Sequence, residues 1–353
     1  MKFDDTITAP LQPEHERIEG QDHFYILPPT NATFNGEPKG VLLYLHSCKQ
    51  SGLDFFTLPE HRIIALDAIQ KGLVVFSPTS RNRESGCYTS EDTKDGHLER
   101  IVETFLETYE LDRLPRVGLG DSSGGAFLSF VHRSLKLESM AVYNSPQGYD
   151  DMLSEDDEVI PTVYLTMPID KSISNRMNAN LIRLQEMNIA SYLYKVSPKP
   201  FTNSLCAARL PEITGVFCEH AFETIAKHHS SLLDVDGYVL EGDVQSAQWQ
   251  RFFERLESDY ESISSTDGNG RRHLNKHKRK IIGRKKKKSP PEATRSWLRV
   301  ILEQEIQTCY GFHAMTAQFH NEILKFLISN SKMVLDKPTS HRKHNYKIDN
   351  LVP

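Results

Sequence analysis

The sequence has no long apolar run, and this absence argues against a protein that spans a membrane. No stretch of about 18 consecutive apolar residues occurs in the 353-residue chain, so a membrane span is not expected. The first ten residues, MKFDDTITAP, lack the apolar segment of a secretory signal. Hydrophobic residues make up 38% of the chain and charged residues 25%, which is typical of globular proteins with a sizeable core.

Cysteine is sparse and shows no metal-binding or redox spacing. The five cysteines are scattered and odd in number, and no two have C-x-x-C spacing; they are Cys48, Cys87, Cys206, Cys218 and Cys309. This pattern favours reduced thiols over a disulfide framework or a zinc site. We therefore predict a cytoplasmic protein without a metal or a cofactor.

Basic residues are concentrated in one segment. Residues 271–288 contain eleven Lys and Arg and no Asp or Glu, while the rest of the chain has 31 basic against 47 acidic residues. An acidic bulk disfavours nucleic acid as the main ligand. The basic segment has no aromatic residues for stacking on bases. We interpret it as a solvated surface insertion, with contact to anionic surfaces or a nuclear-import role as alternatives.

The middle of the chain alternates between apolar strand patterns and helical patterns. The predicted strands are Val41–His46, Gly72–Ser77, Arg116–Leu119, Ser139–Tyr143, Thr162–Met167 and Ala190–Val196. Predicted helices cover 60–70, 97–110, 124–135 and 174–187. Such alternation predicts an α/β fold with a mostly parallel central sheet and helices on both faces. In such sheets, functional residues follow the carboxyl ends of the strands.

The pattern changes after Pro200, where helical segments replace the alternation. Residues 210–256, with a break at Gly237–Tyr238, 296–307 and 314–329 are predicted to be helical, while 258–294 is predicted to be disordered. The predicted division is an N-terminal extension with one short strand at Phe24–Leu27 (1–39), an α/β core (40–200), a helical cap (201–257), a basic disordered insertion (258–294), the C-terminal part of the core (295–332) and a flexible tail (333–353).

The strongest chemical signal is Gly120-Asp121-Ser122-Ser123-Gly124, which fits G-x-S-x-G. It lies between a predicted strand and a predicted helix, the context in which this motif forms a nucleophile elbow. Small residues two positions before and after the serine let the chain turn sharply and raise its hydroxyl above the sheet. Ser122 has glycines at both positions and is therefore the candidate nucleophile.

A serine nucleophile needs a base, and the base needs an orienting acid. Asp170 follows the strand Thr162–Met167 and is the candidate acid; the alternatives for it are a helix N-cap or a solvated loop residue. His313 lies in a short loop before the last predicted helix and is the candidate base. His228 and His229 are the alternatives. The competing acids precede that strand: Asp150, Asp151, Glu155, Asp156 and Asp157.

Transition-state charge on the substrate oxygen needs two backbone N–H donors. One is expected from Ser123, the residue after the nucleophile. The other is expected from the loop after the first core strand, from Cys48 or Ser47, between which the sequence does not decide.

The segments Leu43–Phe56, Gly118–Ser129, Thr166–Ser172 and Tyr310–Thr316 resemble the α/β-hydrolase superfamily. The first segment and the elbow resemble an uncharacterised eukaryotic branch that is well represented in plants, and more distantly the esterases allied to polyhydroxybutyrate depolymerases. The resemblance implies a Ser122–Asp170–His313 triad. Two features depart from it: Ser47 stands where relatives have glycine, and the long Asp170-to-His313 separation implies an inserted helical cap.

We consider three functions for a protein with these residues. The leading hypothesis is a serine hydrolase that cleaves a carboxylic ester or related acyl bond of a small-molecule substrate. A catalytically inactive fold that binds a ligand or partner is the alternative, since fold alone does not determine function. A dinucleotide oxidoreductase is disfavoured, because Gly118, Gly120 and Gly124 have G-x-G-x-x-x-G spacing and no acidic residue ends the next strand.

Overall fold

An eight-stranded sheet forms the centre of the molecule. A computed structural model describes residues 10–145, 159–209, 215–266 and 297–333. The strands are β1 (Glu14–Ile18), β2 (Gln21–Ile26), β3 (Gly40–Leu45), β4 (Leu73–Pro78), β5 (Arg116–Asp121), β6 (Ser139–Tyr143), β7 (Thr162–Thr166) and β8 (Ser191–Lys195). Their spatial order is β1-β2-β4-β3-β5-β6-β7-β8. Strands β3 to β8 pair in parallel, whereas β1 and β2 are antiparallel to their neighbours.

Helices cover both faces of this sheet. The helices are α1 (Asp54–Thr57), α2 (Pro59–Gln70), α3 (Ser90–Thr93), α4 (His97–Thr108), α5 (Ser123–Val131), α6 (Lys171–Glu186), α7 (Asn203–Arg209), α8 (Gly215–His228), α9 (Ala247–Thr266), α10 (Trp297–Tyr310) and α11 (His320–Ser329). Along β3, Leu43 packs in a cluster with side chains of α4, α5 and α6, and Leu42 packs in a second cluster with side chains of α2 and α11. Both faces are buried, as the continuous apolar runs predicted. The predicted α/β fold with a mostly parallel central sheet and flanking helices is confirmed.

The N-terminal segment contains two strands where the sequence predicts one. β2 covers most of the predicted strand Phe24–Leu27, and β1 pairs with it at the edge of the sheet. The sequence of β1 is EHERI, so its polar, largely exposed side chains carry no apolar alternation. Such a strand cannot be recognised from its own sequence, because it is defined by its pairing with β2.

The cap has its own apolar core. Side chains of α7, α8 and α9 form a cluster that includes Cys206, Cys218, Trp249 and Phe252. Ile306 of α10 belongs to the same cluster, whereas the sequence predicts residues 295–332 to be part of the α/β core. The cap cluster is therefore built from two separate stretches of chain.

Three helical predictions differ from the structure. Residues 229–246, within the predicted helical stretch 210–256, form no helix. The helix α9 continues to Thr266, so residues 258–266 of the predicted disordered insertion are helical, and the rest of that insertion lies outside the described residues. The last helix begins at His320, which leaves residues 314–319 as a loop rather than a helix. The predicted tail is described only at Met333. Among the described helices, none has both the length and the apolarity that crossing a membrane requires.

The prediction of reduced cysteines is wrong for four of the five. Cys48 is disulfide-bonded to Cys87, and Cys206 to Cys218, while Cys309 is buried and takes part in neither disulfide. The first pair is separated by 39 residues and joins two loops at the carboxyl edge of the sheet. Spacing along the sequence does not reveal such a pair, because the fold brings the two loops together. The argument from cysteine for a cytoplasmic location therefore does not hold.

These two disulfides can be tested by peptide mapping. Alkylation of the unfolded, non-reduced protein should modify Cys309 alone, and digestion should release the two linked peptide pairs. Reduction should destabilise the protein by about 3 to 4 kcal/mol for each loop in the chain-entropy description. Alkylation of all five cysteines without a reductant would instead restore the reduced-thiol interpretation.

Candidate active site

Ser122 lies in a strained turn between β5 and α5. Its backbone has φ 50° and ψ −114°, a conformation that costs a non-glycine residue about 1 to 3 kcal/mol. The turn is tight enough that a Cβ atom on Gly120 would lie 2.6 Å from the Gly124 carbonyl oxygen. A Cβ atom on Gly124 would lie 2.1 Å from the Leu45 oxygen at the end of β3. Glycine is therefore required on both sides of the serine by backbone contact.

The three predicted triad side chains lie in one hydrogen-bonded row. The Ser122 hydroxyl lies 2.7 Å from Nε2 of His313, and Nδ1 of His313 lies 3.3 Å from Oδ2 of Asp170. With the ring proton on Nδ1, the Ser122 hydroxyl donates to Nε2 and the Nδ1–H donates to the Asp170 carboxylate. The row has the order nucleophile, base and acid that serine hydrolases use.

Asp170 has two structural connections. It is the N-cap residue of α6, where its Oδ1 accepts a hydrogen bond from the Ile173 N–H at 3.2 Å. Its other oxygen faces His313. The helix-cap role and the orienting role, which the sequence presented as alternatives, are therefore compatible. The cap bond fixes the direction of the carboxylate that the imidazole meets.

The loop that carries His313 is held at its far end by buried side chains. The hydroxyl of Tyr44 donates to Sδ of Met315 at 3.6 Å. The buried carboxylate of Glu60 accepts a hydrogen bond from the Ala317 N–H. Residues 315–317 are thereby attached to β3 and to the start of α2, which limits the movement of the His313 loop.

The other histidines are engaged elsewhere. His229 packs its ring against Phe252 at a centroid distance of 5.9 Å, within the cap. His228 is the last residue of α8. The His320 ring donates to the Ala317 carbonyl at 2.7 Å. Asp150, Asp151, Glu155, Asp156 and Asp157, the competing acids, lie outside the described residues.

The candidate oxyanion donors surround the nucleophile turn. Ser123 begins α5, and its N–H makes no hydrogen bond within the described part of the chain. The N–H of Ser47 donates to the Gln50 side chain at 3.3 Å, whereas the N–H of Cys48 is unbonded among the described residues. This difference favours Cys48 over Ser47 as the second donor. Ser47 does not have a positive φ, so serine replaces glycine there without backbone strain.

The loop after β3 is fixed from two sides. The His46 ring donates from Nδ1 to the Ser47 carbonyl and accepts at Nε2 from the Ser80 N–H at 3.0 Å. Burial lowers the pKa of His46 to about 4, so the ring stays neutral and keeps this tautomer. The disulfide from Cys48 to Cys87 ties the same loop to the segment after β4. Sequence reasoning did not assign these supporting roles.

A buried carboxylate lies directly beside the nucleophile. Asp121 is 4% exposed, and its Oδ1 accepts a hydrogen bond from Nδ2 of Asn144 at 3.3 Å. Burial raises the pKa of Asp121 to about 6, against the opposing effects of His313 and Asn144. Neither Asp121 nor Asn144 was predicted as a functional residue. The only signal for Asn144 is its place directly after a core strand.

The remaining neighbours of Asp121 are neutral at ordinary pH. Burial raises the pKa of Tyr44 and of Tyr143, and the Asp121 carboxylate adds to both shifts. The tyrosines beside Asp121 therefore contribute no charge to the site at ordinary pH. No group of three metal-binding side chains occurs among the residues that the structure describes.

Comparison with known proteins found similar solved structures at low identity. An esterase from Thermogutta terrifontis has 10% identity and a TM-score of 0.40, with 52% of this chain and 83% of that chain covered. A serine hydrolase without a lid from Xanthomonas campestris has 13% identity and a TM-score of 0.40, with 60% and 94% covered. Dienelactone hydrolase from Anabaena variabilis has 16% identity and a TM-score of 0.38, with 57% and 96% covered.

No protein-family model and no curated protein sequence matches the chain.

The burial of Asp121 predicts a pH-dependent gain of stability on substitution. Because its pKa is raised when the protein folds, its ionisation destabilises the folded state as pH rises from about 4 to about 6. Asp121→Asn should therefore raise the free energy of unfolding at pH 7.5 by up to about 3 kcal/mol and have little effect near pH 4. Urea unfolding at the two pH values measures this difference.

The exposed Asp236 provides a matched control. Asp236→Asn should change the free energy of unfolding by less than about 0.5 kcal/mol at both pH values. An equal effect of Asp121→Asn at pH 4 and pH 7.5 would contradict the raised pKa.

Proposed function

We propose that the protein is a serine hydrolase that cleaves a carboxylic ester, or a related acyl bond, of a small molecule. One observation carries this proposal: a serine in a strained strand-to-helix turn lies 2.7 Å from an imidazole whose other nitrogen faces a carboxylate. A serine hydroxyl is a weak nucleophile until a base removes its proton, and this row provides the base and its orienting acid.

In the acylation step, Oγ of Ser122 attacks the acyl carbon while Nε2 of His313 takes the hydroxyl proton. The carbonyl oxygen gains negative charge, which the N–H groups of Ser123 and Cys48 stabilise. Asp170 stabilises the imidazolium and holds its orientation. The bond to the leaving group then breaks, and the departing oxygen takes the proton from His313. The acyl group remains bound to Ser122.

In the deacylation step, a water molecule repeats this sequence. His313 removes a proton from water, the resulting hydroxide attacks the acyl carbon, and the acid product leaves as Ser122 regains its proton. The net reaction adds one water across the acyl bond and needs no cofactor or metal. Every proton transfer in both steps passes through His313.

The finer assignments remain predictions. These are the carboxylesterase or lipase class, the resemblance to the eukaryotic branch and the depolymerase-related esterases, the cytoplasmic or nuclear location, and contact between the basic segment 271–288 and anionic surfaces. The same holds for the domain boundaries. A catalytically inactive ligand-binding fold is the alternative to a hydrolase, and the labelling experiment below discriminates between the two.

A fluorophosphonate probe tests the nucleophile. An activated serine attacks the phosphorus and displaces fluoride, so the wild-type protein and Ser123→Ala should become labelled while Ser122→Ala should not. Ser123→Ala is a matched control, because it removes a neighbouring hydroxyl that is buried and makes no hydrogen bond among the described residues. Asp170→Asn should slow the reaction by on the order of 10⁴-fold, because the imidazole loses its orienting acid.

Two results would contradict the proposal. Absence of labelling in the folded wild-type protein would favour the inactive binding fold. Loss of labelling in Ser123→Ala alone would mean that the wrong serine has been assigned.

The disulfide on the loop after β3 should affect the rate more than substrate binding. Replacing Cys48 and Cys87 together by serine leaves the Cys48 N–H in the chain but frees the loop that positions it. We expect kcat for p-nitrophenyl butyrate to fall by about 10- to 100-fold, less than the 10²- to 10³-fold effect of deleting an oxyanion donor, with a smaller change in KM.

The cap disulfide provides the control for this variant. Joint replacement of Cys206 and Cys218 by serine removes a bond of the same kind from the cap cluster. It should lower thermal stability while changing kcat by less than about threefold. Equal losses of kcat in the two double variants would show that the first disulfide has no special connection to catalysis.

A further inference from the structure

Asn144 occupies a fixed position at the carboxyl edge of the sheet. It directly follows β6, and its backbone N–H donates to the Leu165 carbonyl of β7 at 3.0 Å. Its φ is 48°, in the left-handed region that asparagine tolerates better than most residues. The residue is 2% exposed, so its side-chain amide must find partners within the protein.

The side-chain amide of Asn144 bridges the two loops that carry the reacting atoms. Its Nδ2 lies 2.8 Å from the carbonyl oxygen of Ala314 and 3.3 Å from Oδ1 of Asp121. Ala314 directly follows His313, and Asp121 directly precedes Ser122. One NH₂ group therefore contacts the chain next to the base and the chain next to the nucleophile.

Both partners of this amide are acceptors, which explains why the residue is asparagine. A carbonyl oxygen has no proton to donate, and the Asp121 carboxyl is ionised above about pH 6. An aspartate at position 144 would have nearly the same shape but would present oxygens to two acceptors. The site therefore requires the donors of the amide and not only its volume.

The bond to Ala314 has no equivalent nearby. In the described part of the chain, Asn144 provides the only hydrogen bond from the central sheet to the backbone of residues 312–314. The other anchors of this loop, Tyr44 and Glu60, act on residues 315–317. The Asn144 amide therefore attaches the residue directly after His313 to the carboxyl edge of the sheet.

We propose that Asn144 is a positioning residue that sets the distance between Ser122 and His313 by joining Asp121 to the Ala314 carbonyl. This proposal rests on the proposed hydrolase function for its kinetic consequence. A misplaced base weakens proton transfer in the transition state and leaves substrate binding nearly intact.

The first test is the isosteric variant Asn144→Asp, with Asn144→Ser as a smaller variant that retains one donor. For p-nitrophenyl butyrate we expect kcat to fall by about 100-fold in Asn144→Asp and by less in Asn144→Ser, with KM within about threefold of wild type. Asn330→Asp is the matched control, because the Asn330 amide donates to the Phe326 carbonyl at 2.9 Å away from the site. Urea unfolding monitors the folding of each variant.

The exchanged pair Asp121→Asn with Asn144→Asp separates positioning from the pairing of a buried charge. The double variant again pairs one amide with one carboxylate, with the two groups exchanged between positions 121 and 144. The carboxylate at position 144 still faces the Ala314 carbonyl, so two acceptors remain opposed there. Positioning predicts that kcat stays low in this double variant. Recovery of kcat to within about threefold of wild type would overturn the proposal, as would an unchanged kcat in Asn144→Asp.

A proton NMR measurement distinguishes failure of this inference from failure of the proposed function. The His313 ring N–H that faces Asp170 should give a low-field signal in wild type that is lost or shifted in Asn144→Asp and retained in Asn330→Asp. If the wild-type protein neither hydrolyses the ester nor reacts with the probe, the hydrolase proposal fails while this signal still tests the positioning. An unaltered signal in Asn144→Asp would overturn the inference.

Discussion

The backbone conformation of Ser122 is the constraint on which the rest of the site depends. A positive φ at a non-glycine residue is unfavourable, so the surrounding structure must maintain it. Strand β5 holds the turn from one side, and the Ser122 N–H donates to the Tyr143 carbonyl of the neighbouring strand at 2.9 Å. Gly120 and Gly124 allow the backbones of β3, β5 and α5 to approach more closely than any side chain would permit. The energy of this packing compensates for the strained serine, whose hydroxyl projects toward His313.

Polar groups buried behind the turn make a second unfavourable contribution to the stability of the folded protein. Burial raises the pKa of Asp121 because an ionised carboxylate is poorly solvated there, and the Asn144 amide only partly offsets this effect. A neutral residue would be more stable at position 121. The carboxylate is instead retained where it accepts a hydrogen bond from the amide that also reaches Ala314. Stability is thus reduced at the place where orientation and charge are most useful to a nucleophile and its base.

The sequence predicted the parts of the molecule that depend on local patterns. Apolar patterns located strands β3 to β8 within one or two residues. For β3 to β7 the reason is burial on both faces, which favours continuous apolar runs, whereas β8 is a partly exposed edge strand. Chain order and strand ends led to Ser122, Asp170 and His313, which the fold brings into one row. The polar strand β1, the bond between Cys48 and Cys87 and the bridging role of Asn144 were not predictable in this way. Each of them depends on a partner that is remote in sequence, so the residues concerned look ordinary in their own neighbourhoods.

The long separation between Asp170 and His313 has a structural explanation in how the cap is attached. The chain leaves the core after β8 and returns at the end of α10, and these two points meet: the Lys199 N–H donates to the Cys309 carbonyl at 2.9 Å. A Cβ atom on Gly311 would lie 3.2 Å from Pro198, so the contact continues to the residues just before His313. Cys309 itself is packed in the apolar cluster of the cap. The base is therefore attached to the cap on one side and to the sheet, through Asn144, on the other. Rearrangement of the cap would act on the position of His313 directly, because His313 follows the chain segment that joins the cap to the core.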